Sequence, residues 1–155
     1  MEVRRKCDRF LLVKLILGGE IFNVISVYAP QIGLDESSER QFWEDLDEIV
    51  QGIPSREKLF IGGDLNGHVG TSRYEFYNIH GGFDFGERNE SGNSILDFAL
   101  SYNLILANTW FKRESHLITF RSGSSASQID FFLTKKVDRG CCMDCKVVPG
   151  ESVVT

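Results

Sequence analysis

Cysteine and proline are scarce in this sequence, which has four cysteines and three prolines among its 155 residues. Three of the cysteines lie within five residues near the carboxyl end, a spacing that does not suit a disulfide framework. We therefore expect free thiols and a reducing, intracellular environment, nuclear or cytoplasmic. The cysteines are Cys7, Cys141, Cys142 and Cys145.

Long apolar runs are also absent. No stretch approaches the roughly 20 apolar residues that a membrane-spanning helix needs, so the sequence predicts no association with a membrane. The amino terminus is basic at residues 4–6, but Asp8 and Lys14 interrupt the apolar residues that follow. This pattern makes a poor secretory signal.

Positive charge is in deficit, because 22 acidic residues outnumber 17 Lys and Arg and give a formal net charge of −5. A domain that binds nucleic acid mainly through electrostatics is expected to be basic, so this balance counts against avid, nonspecific DNA binding. It does not exclude a nuclease, because carboxylates that hold a cation add negative charge until the cation binds. Hydrophobic residues make up 42% of the chain and include 12 Phe, enough for one domain or a large piece of one.

The periodicity of the apolar residues predicts a β-rich α/β (α+β) fold in which strands pack against helices. The pair Gly18-Gly19 separates two predicted strands and is typical of a hairpin turn. Ser38 and Gln41 have capping-box spacing at the start of a predicted helix. The predicted helices cover residues 38–52 and about 91–102, and the predicted strands cover residues 10–17, 21–28, 58–64, 104–107, 118–120, 129–133 and 146–148.

The most informative stretch runs from Ile61 to Gly70, where an apolar strand ends at two glycines and Asp64 and Asn66 follow. This arrangement is typical of the carboxyl end of a buried strand, where polar side chains reach a crevice. A carboxylate oxygen together with an amide nitrogen suits a hard cation and a phosphate rather than a thiol-seeking metal. A long loop, residues 66–90, comes next, and a loop of this length in a compact domain is usually functional.

A second acid, Asp130, lies inside the apolar segment from Ile129 to Leu133. Asp130 shares its strand face with Phe132, and burying a lone carboxylate is unfavourable by several kcal/mol. We therefore expect Asp130 to be paired or functional. The alternative is an outward-facing residue on a half-exposed strand.

Four short segments, in this order, resemble the endonuclease/exonuclease/phosphatase superfamily, which includes apurinic endonucleases, DNase I-like enzymes and the nicking endonucleases of LINE-type retrotransposons. Two further segments are similar to the retrotransposon-derived craniofacial development protein 2-like endonuclease domains. The resemblance covers about residues 10–155, nearly the whole chain. The four segments are Val27–Pro30, Gly62–Asn66, Thr119-Phe120 and Ser127–Leu133, and the two narrower ones are His80–Gly92 and Asp144–Glu151.

The resemblance implies a DNase I-like β-sandwich flanked by helices, and Mg²⁺-dependent hydrolysis of phosphodiesters with DNA as the substrate. Mn²⁺ is the alternative cofactor. By the same resemblance, Asp64 orients or deprotonates the attacking water, Asn66 holds that water or a phosphate oxygen, and Tyr28 contacts the scissile phosphate. Asp64 and Asn66 are also the implied metal-binding residues of this chain.

The resemblance implies supporting roles for four further polar residues. Thr119 and Ser127 are expected near the substrate, together with Asn89 of the narrower motif. Asp130 is expected to orient a histidine that contacts the phosphate. Structural alternatives stay open: a half-buried aromatic for Tyr28, a turn residue for Asn66 and an ordinary strand residue for Thr119.

Histidine and cysteine show no metal-ligand spacing in this sequence. The histidines at 68, 80 and 116 are predicted to be ordinary loop residues. Cys142 and Cys145 form a single pair without the second pair that a structural zinc site needs, so we interpret their spacing as incidental.

Two features of full-length superfamily members have no match in this chain. Those members begin with a strand that carries an Asn, followed by a Glu that is the principal metal ligand, and they end with a His-bearing segment. We therefore expect residues 1–155 to form a partial domain, truncated at both ends, with weak Mg²⁺ binding and little or no nuclease activity of its own. Two alternatives stay open. One is a non-catalytic remnant or binding module, and the other is a lipid phosphodiesterase of the same superfamily, against which the segment 80–92 argues.

Overall fold

The computed structural model describes residues 1–31, 33, 35–111 and 118–145. The predicted strand at 146–148 lies outside the described residues. Two short 3₁₀ helices, Ala107–Trp110 and Lys136–Cys141, accompany the main elements. The strands are β1 (Glu2–Lys6), β2 (Phe10–Leu17), β3 (Glu20–Tyr28), β4 (Lys58–Asp64), β5 (Leu104–Leu106), β6 (Phe120–Ser122), β7 (Ser125–Ser127) and β8 (Asp130–Lys135), and the helices are α1 (Glu36–Gln51) and α2 (Glu90–Ser101).

Six of the strands form one mixed sheet in the order β1-β2-β3-β4-β8-β5, and β6 and β7 form a separate hairpin. Within the sheet, β3 and β4 are parallel and the other neighbouring pairs are antiparallel. Helix α1 connects the two parallel strands, as a crossover between parallel neighbours requires. The predicted α/β class is therefore confirmed.

The two helices and one face of the sheet enclose a single hydrophobic core. On the strands the buried positions alternate, so that β3 buries Ile25 and Val27 while β4 buries Leu59 and Ile61. An aromatic row joins the layers: Phe10 stacks on Phe42 of α1, and Trp43 packs against Phe98 of α2. On the opposite sheet face, Phe22, Phe60 and Phe132 form a second, half-buried aromatic row.

Helix α1 begins earlier than the sequence predicted. Its N-cap is Asp35, whose carboxylate accepts a hydrogen bond from the backbone N–H of Ser38 at 2.7 Å. Ser38 is therefore inside the first turn, and the predicted capping box is wrong because a carboxylate three residues upstream satisfies that donor instead. Gly52 does end the helix, as predicted.

Strand β1 was not predicted, because its residues are charged and mostly exposed. Among the described strands it pairs with β2 alone, at the edge of the sheet, where backbone hydrogen bonds rather than side-chain burial hold it. The sheet edge explains the tolerance of charge, because charged side chains on an edge strand discourage pairing with another chain. The hairpin between β2 and β3 was predicted correctly, and Gly18 and Gly19 have the positive φ angles, 58° and 81°, that its two-residue turn requires.

The four cysteines are free thiols, as expected. Within the described part of the chain, no helix combines the length and apolar character needed to cross a membrane.

Candidate active site

Three neighbouring strands bring Tyr28, Asp64 and Asp130 together at the point where β3 and β4 end and β8 begins. Tyr28 ends β3 and is in register with Asp64, which ends β4. Asp64 is in turn directly opposite Asp130, the first residue of β8. Directly opposed residues point to the same face of a sheet, with Cβ atoms about 5 Å apart. Residues separated by as many as 102 positions in the chain (28 to 130) thus form one cluster.

The two carboxylates form a like-charged pair. Burial raises the pKa of Asp64 above its ordinary value, and the neighbouring Asp130 charge raises it further, while the backbone N–H of Asn66 opposes both effects. The sequence predicted that Asp130 needs a partner, and in the structure that neighbour carries the same charge. Such a pair is stabilised by a proton or by a cation between the two groups.

Asn66 is fixed by its backbone conformation and by its side chain. Its φ of 46° is in the left-handed region, which Asn tolerates better than most residues. The side-chain nitrogen donates to the carbonyl of Ala29 at 2.8 Å, and the backbone N–H donates to Asp64 Oδ1 at 2.9 Å. Asn66 therefore links the ends of β3 and β4 and orients the Asp64 carboxylate.

The Tyr28 side chain is half-exposed at the edge of the cluster, with 47% of its surface accessible. The Arg9 guanidinium lies 5.7 Å from the centre of its ring and donates to its backbone carbonyl at 3.1 Å. A cation therefore accompanies the phenol ring at the end of β3.

Thr119 fixes the start of β8 through its hydroxyl oxygen. This oxygen accepts hydrogen bonds from the backbone N–H groups of Ile129 and Asp130, at 3.0 and 3.1 Å. The Thr119 N–H donates to the carbonyl of Ser127 at 3.0 Å. In the structure Thr119 thus positions Asp130 through the backbone, and Ser127 supports Thr119.

Replacing Thr119 with the isosteric valine is expected to lower the free energy of unfolding by about 2 kcal/mol, because two backbone donors would lose their acceptor. Thr134→Val is the matched control, since the Thr134 hydroxyl is buried and has no hydrogen-bond partner in the described part of the chain. That change should be neutral or stabilising. Urea denaturation of the two variants measures the difference, and equal losses would contradict the role assigned to Thr119.

Asn108 is a site residue that the sequence reasoning missed. It lies in the 3₁₀ helix after β5, where its side-chain oxygen accepts from the N–H of Phe132 at 2.6 Å and its nitrogen donates to the carbonyl of Asp130 at 3.4 Å. The signal was available, since Asn108 lies two residues after the buried strand Leu104–Leu106, much as Asn66 lies two residues after the end of β4.

Asn89 is the N-cap of α2. Its side-chain oxygen accepts from the N–H of Gly92 at 2.8 Å and from the N–H of His68 at 3.0 Å. Asn89 therefore joins the helix to the loop that follows Asp64, and its oxygen is already engaged. The contact with substrate that the family resemblance implies stays a prediction.

His80 is not the ordinary loop residue that the sequence predicted. The side chain is fully buried, with one ring nitrogen 2.5 Å from the carbonyl of Gly70 and the other accepting from the N–H of Gly82 at 2.8 Å. Burial lowers its pKa, which keeps the ring neutral. His80 thus links two parts of the long loop, at Gly70 and at Gly82, through its ring nitrogens. His116 lies outside the described residues.

A complete protein metal site is not formed by residues 1–31, 33, 35–111 and 118–145, because no three His, Cys, Asp or Glu side chains converge there. The cluster does supply the donor chemistry of a hard cation, namely two facing carboxylates with raised proton affinity at Asp64. It fits a magnesium ion as a partial ligand set, with water or other groups filling the remaining positions.

Comparison with known proteins gives one family match and several relatives. The family "Endonuclease-reverse transcriptase" matches residues 22–151. Craniofacial development protein 2 from Tragulus javanicus and from Bos taurus are each 35% identical over 150 residues, which is 94% of this chain and 25% of theirs. The chain therefore spans about a quarter of the length of these relatives. A 58-residue segment is 36% identical to "Transposon TX1 uncharacterized 149 kDa protein" of Xenopus laevis, covering 37% of this chain and 4% of that one.

Solved structures give more distant matches. The crystal structure of SmcL aligns over 81% of this chain and 42% of its own, with a TM-score of 0.49 and 16% identity. An endonuclease/exonuclease/phosphatase family protein from Leptotrichia buccalis aligns over 81% of this chain and 41% of its own, with a TM-score of 0.45 and 10% identity.

Proposed function

Because the chain belongs to the endonuclease–reverse transcriptase family, within the endonuclease/exonuclease/phosphatase superfamily, we propose that it contains the central part of a phosphodiester-hydrolysing site. The proposed cofactor is Mg²⁺, with Mn²⁺ as an alternative, and the proposed substrate is DNA. The proposed site residues are Tyr28, Asp64, Asn66 and Asp130, supported by Thr119, Ser127 and Asn89.

The observation that carries this proposal is the pairing of Asp64 with Asp130 at the end of adjacent strands. Two facing carboxylates, one of them with a raised pKa, repel each other and are stabilised by a nearby positive charge. The packing of a hydrophobic core does not require such a pair. If Asp130 served only the stability of the fold, an apolar or oppositely charged residue would be favoured opposite it, because like charges directly opposite one another are destabilising.

The proposed chemistry gives each of three side chains a role. Asp64, oriented by the Asn66 N–H, is the base that takes a proton from the attacking water. The Asn66 side-chain nitrogen is held by Ala29, so the oxygen is the atom with which it would hold that water. The Tyr28 hydroxyl would donate to a phosphate oxygen as charge develops there, which its exposed position allows. A bound magnesium ion would supply charge neutralisation of the phosphate.

DNA and a retrotransposon ancestry are supported by two further observations. The matched family is named for endonuclease and reverse transcriptase, and one relative carries a transposon name over a 58-residue match. The family name is consistent with a nuclease that works with a reverse transcriptase in a longer protein.

A second candidate function is a non-catalytic scaffold or binding module. It is favoured by the small ligand set, since the described residues bring no third His, Cys, Asp or Glu to the pair. By this proposal the 155-residue chain shows little or no DNA nicking by itself, and metal-dependent nicking that Asp64→Ala abolishes would overturn that expectation.

Magnesium titration by calorimetry separates the two candidates. We expect saturable binding with a dissociation constant between about 0.1 and 10 mM, because hard cations bind weakly to two carboxylates, and we expect Asp64→Ala to abolish it. Asp97→Ala removes an exposed carboxylate from α2 and serves as the matched control, which should bind as the wild type does. Equal binding by all three proteins would favour the non-catalytic scaffold.

A further inference from the structure

Asp84 and Gln128 bring three unsatisfied polar atoms to one place outside the carboxylate cluster. Asp84 lies in the glycine-rich segment 81–86, and Gln128 connects β7 to β8 two residues before Asp130. Gln128 is only 1% exposed, and among the residues that the structure describes both its side-chain oxygen and its nitrogen lack a hydrogen-bond partner. Asp84 Oδ2 is likewise buried without a partner.

The Gln128 carboxamide lies against the Asp84 carboxyl, although the two groups do not form a hydrogen bond of full geometry. The other Asp84 oxygen accepts from the N–H of Phe85 at 2.8 Å, and the Gly70 N–H also faces the carboxyl. An ionised Asp84 can only accept hydrogen bonds, so it leaves the buried Gln128 oxygen without a donor. A protonated Asp84 supplies that donor.

We propose that the protonated Asp84 carboxyl and the Gln128 carboxamide form a neutral, doubly hydrogen-bonded pair that fastens segment 81–86 to the strand carrying Asp130, and that loss of the proton releases it. In this pair the Asp84 hydroxyl donates to Gln128 Oε1, and Gln128 Nε2 donates to the other carboxyl oxygen. One proton is bound when the pair forms and leaves to solvent when it opens.

The electrostatic surroundings favour the neutral form. Burial raises the pKa of Asp84 to about 7, against the opposing effects of the Phe85 N–H, Gln128 and the Gly70 N–H. The cations on the neighbouring segments are directed elsewhere: Arg88 donates to the carbonyls of Val69 and Ser72. Arg73 donates to the carbonyls of His80 and Tyr77. The His80 ring is neutral and is hydrogen-bonded at both nitrogens. The Glu87 side chain is exposed to solvent.

The pair connects to the proposed site through the backbone. Ile129, next to Gln128, accepts at its carbonyl from the N–H of Leu65 at 2.9 Å, and Leu65 directly follows Asp64. Asp84 is therefore a positioning residue for the strand ends that hold the carboxylates. This last step rests on the proposed function, whereas the acid–amide pair itself does not.

The direct test is the carbon-13 chemical shift of the Asp84 carboxyl in the 155-residue protein, followed from pH 3 to pH 9 without magnesium or DNA. We expect a midpoint near 7. A midpoint near 4, the ordinary value for an aspartate, would overturn the proposal.

Stability against pH provides the second test. A raised pKa means that the folded state keeps a proton that the unfolded state has released, so this contribution to stability falls as pH rises from about 4 to about 7. Asp84→Asn, which mimics the neutral acid, should lose that dependence. The folding equilibrium constant of the wild type relative to Asp84→Asn is expected to fall about tenfold or more between pH 5.5 and 8.5.

Glu87→Gln removes an exposed carboxylate from the same loop and should retain the wild-type dependence. His80 and Asp64 contribute their own pH dependence to every one of these proteins, and the comparison with Asp84→Asn cancels it. An unchanged ratio between the wild type and Asp84→Asn across this pH range would overturn the proposal.

Hydrogen exchange tests the fastening itself. The N–H of Thr71 donates to the carbonyl of Gly86 at 3.2 Å and reports on the docked segment. Its protection is expected to fall about tenfold between pH 6 and pH 8 in the wild type, in step with the loss of the proton, and to stay constant in Asp84→Asn. Constant protection in the wild type would overturn the proposal. Asp64→Ala should leave these results unchanged, so that failure of the proposed function and failure of this proposal are distinguishable.

Discussion

Gly63→Ala is expected to lower the free energy of unfolding by about 4 kcal/mol, the largest effect of any substitution considered for this protein. Gly63 has a φ of +143°, in a region that side chains rarely adopt, and a Cβ atom added there would lie 2.0 Å from the carbonyl oxygen of Val27. Because that oxygen belongs to the neighbouring parallel strand β3, the only relief is to separate β3 from β4. The carboxylate cluster would be disrupted at the same time.

Urea denaturation at pH 7 measures this effect, and Gly140→Ala is the matched control. Gly140 has an ordinary φ and nothing within 4 Å of an added Cβ atom, so its replacement should change stability by less than about 0.5 kcal/mol. A loss below about 1 kcal/mol for Gly63→Ala would contradict the close approach of the two strands.

Gly92→Ala is expected to lower the free energy of unfolding by about 3 kcal/mol, although alanine is the better helix former by about 1 kcal/mol. Gly92 lies in the first turn of α2, and an added Cβ atom would be 1.8 Å from the carbonyl oxygen of His68. The loop that follows Asp64 is packed directly on this turn. A Cβ atom added to Gly67 of that loop would also lie within 3.1 Å of backbone atoms of Ser91 and Gly92. Moving the loop away would break the hydrogen bonds between Asn89 and His68.

Gly52→Ala is the control for helix propensity. Gly52 caps the C-terminus of α1 with a right-handed backbone, and its added Cβ atom would meet only ordinary contacts at 3.5 Å. That variant should be neutral or slightly more stable. If Gly92→Ala proved as stable as Gly52→Ala, the loop would not be packed on α2 as the structure places it.

The like charge of Asp130 makes Asp64 affect both the stability of the fold and the binding of a cation. Its raised pKa means that its ionised form is disfavoured in the folded protein, and the associated stability is lost as pH rises through the folded value. A bound cation would restore the lost stability by compensating the two negative charges. The features that destabilise the cluster without a cation are therefore the features that would favour metal binding, an arrangement common where a site has been shaped for function rather than for stability.

Local patterns in the sequence were sufficient wherever one element decided its own conformation. The strands β2, β3 and β4, the turn at Gly18-Gly19, the long loop after Asn66 and the approximate extent of α2 were all predicted, because apolar periodicity and glycine act over a few residues. The ordered motifs also identified Asp64 and Asp130 as the acids of interest. The capping of α1 and the edge strand β1 were not predicted, since each depended on a competing donor or a pairing partner.

By itself, then, the sequence determined the fold class, the family and the identity of the two acidic residues, because these follow from composition and from short segments read in order. Only the tertiary structure decided that Asp64 and Asp130 face each other, that Thr119 and Asn108 hold the backbone of β8, and that the Asp84 carboxyl lies against Gln128. The physical reason is that burial, register and the proximity of charges depend on contacts between residues far apart in the chain. No local pattern specifies those distances, and the raised pKa values of Asp64 and Asp84 follow from them.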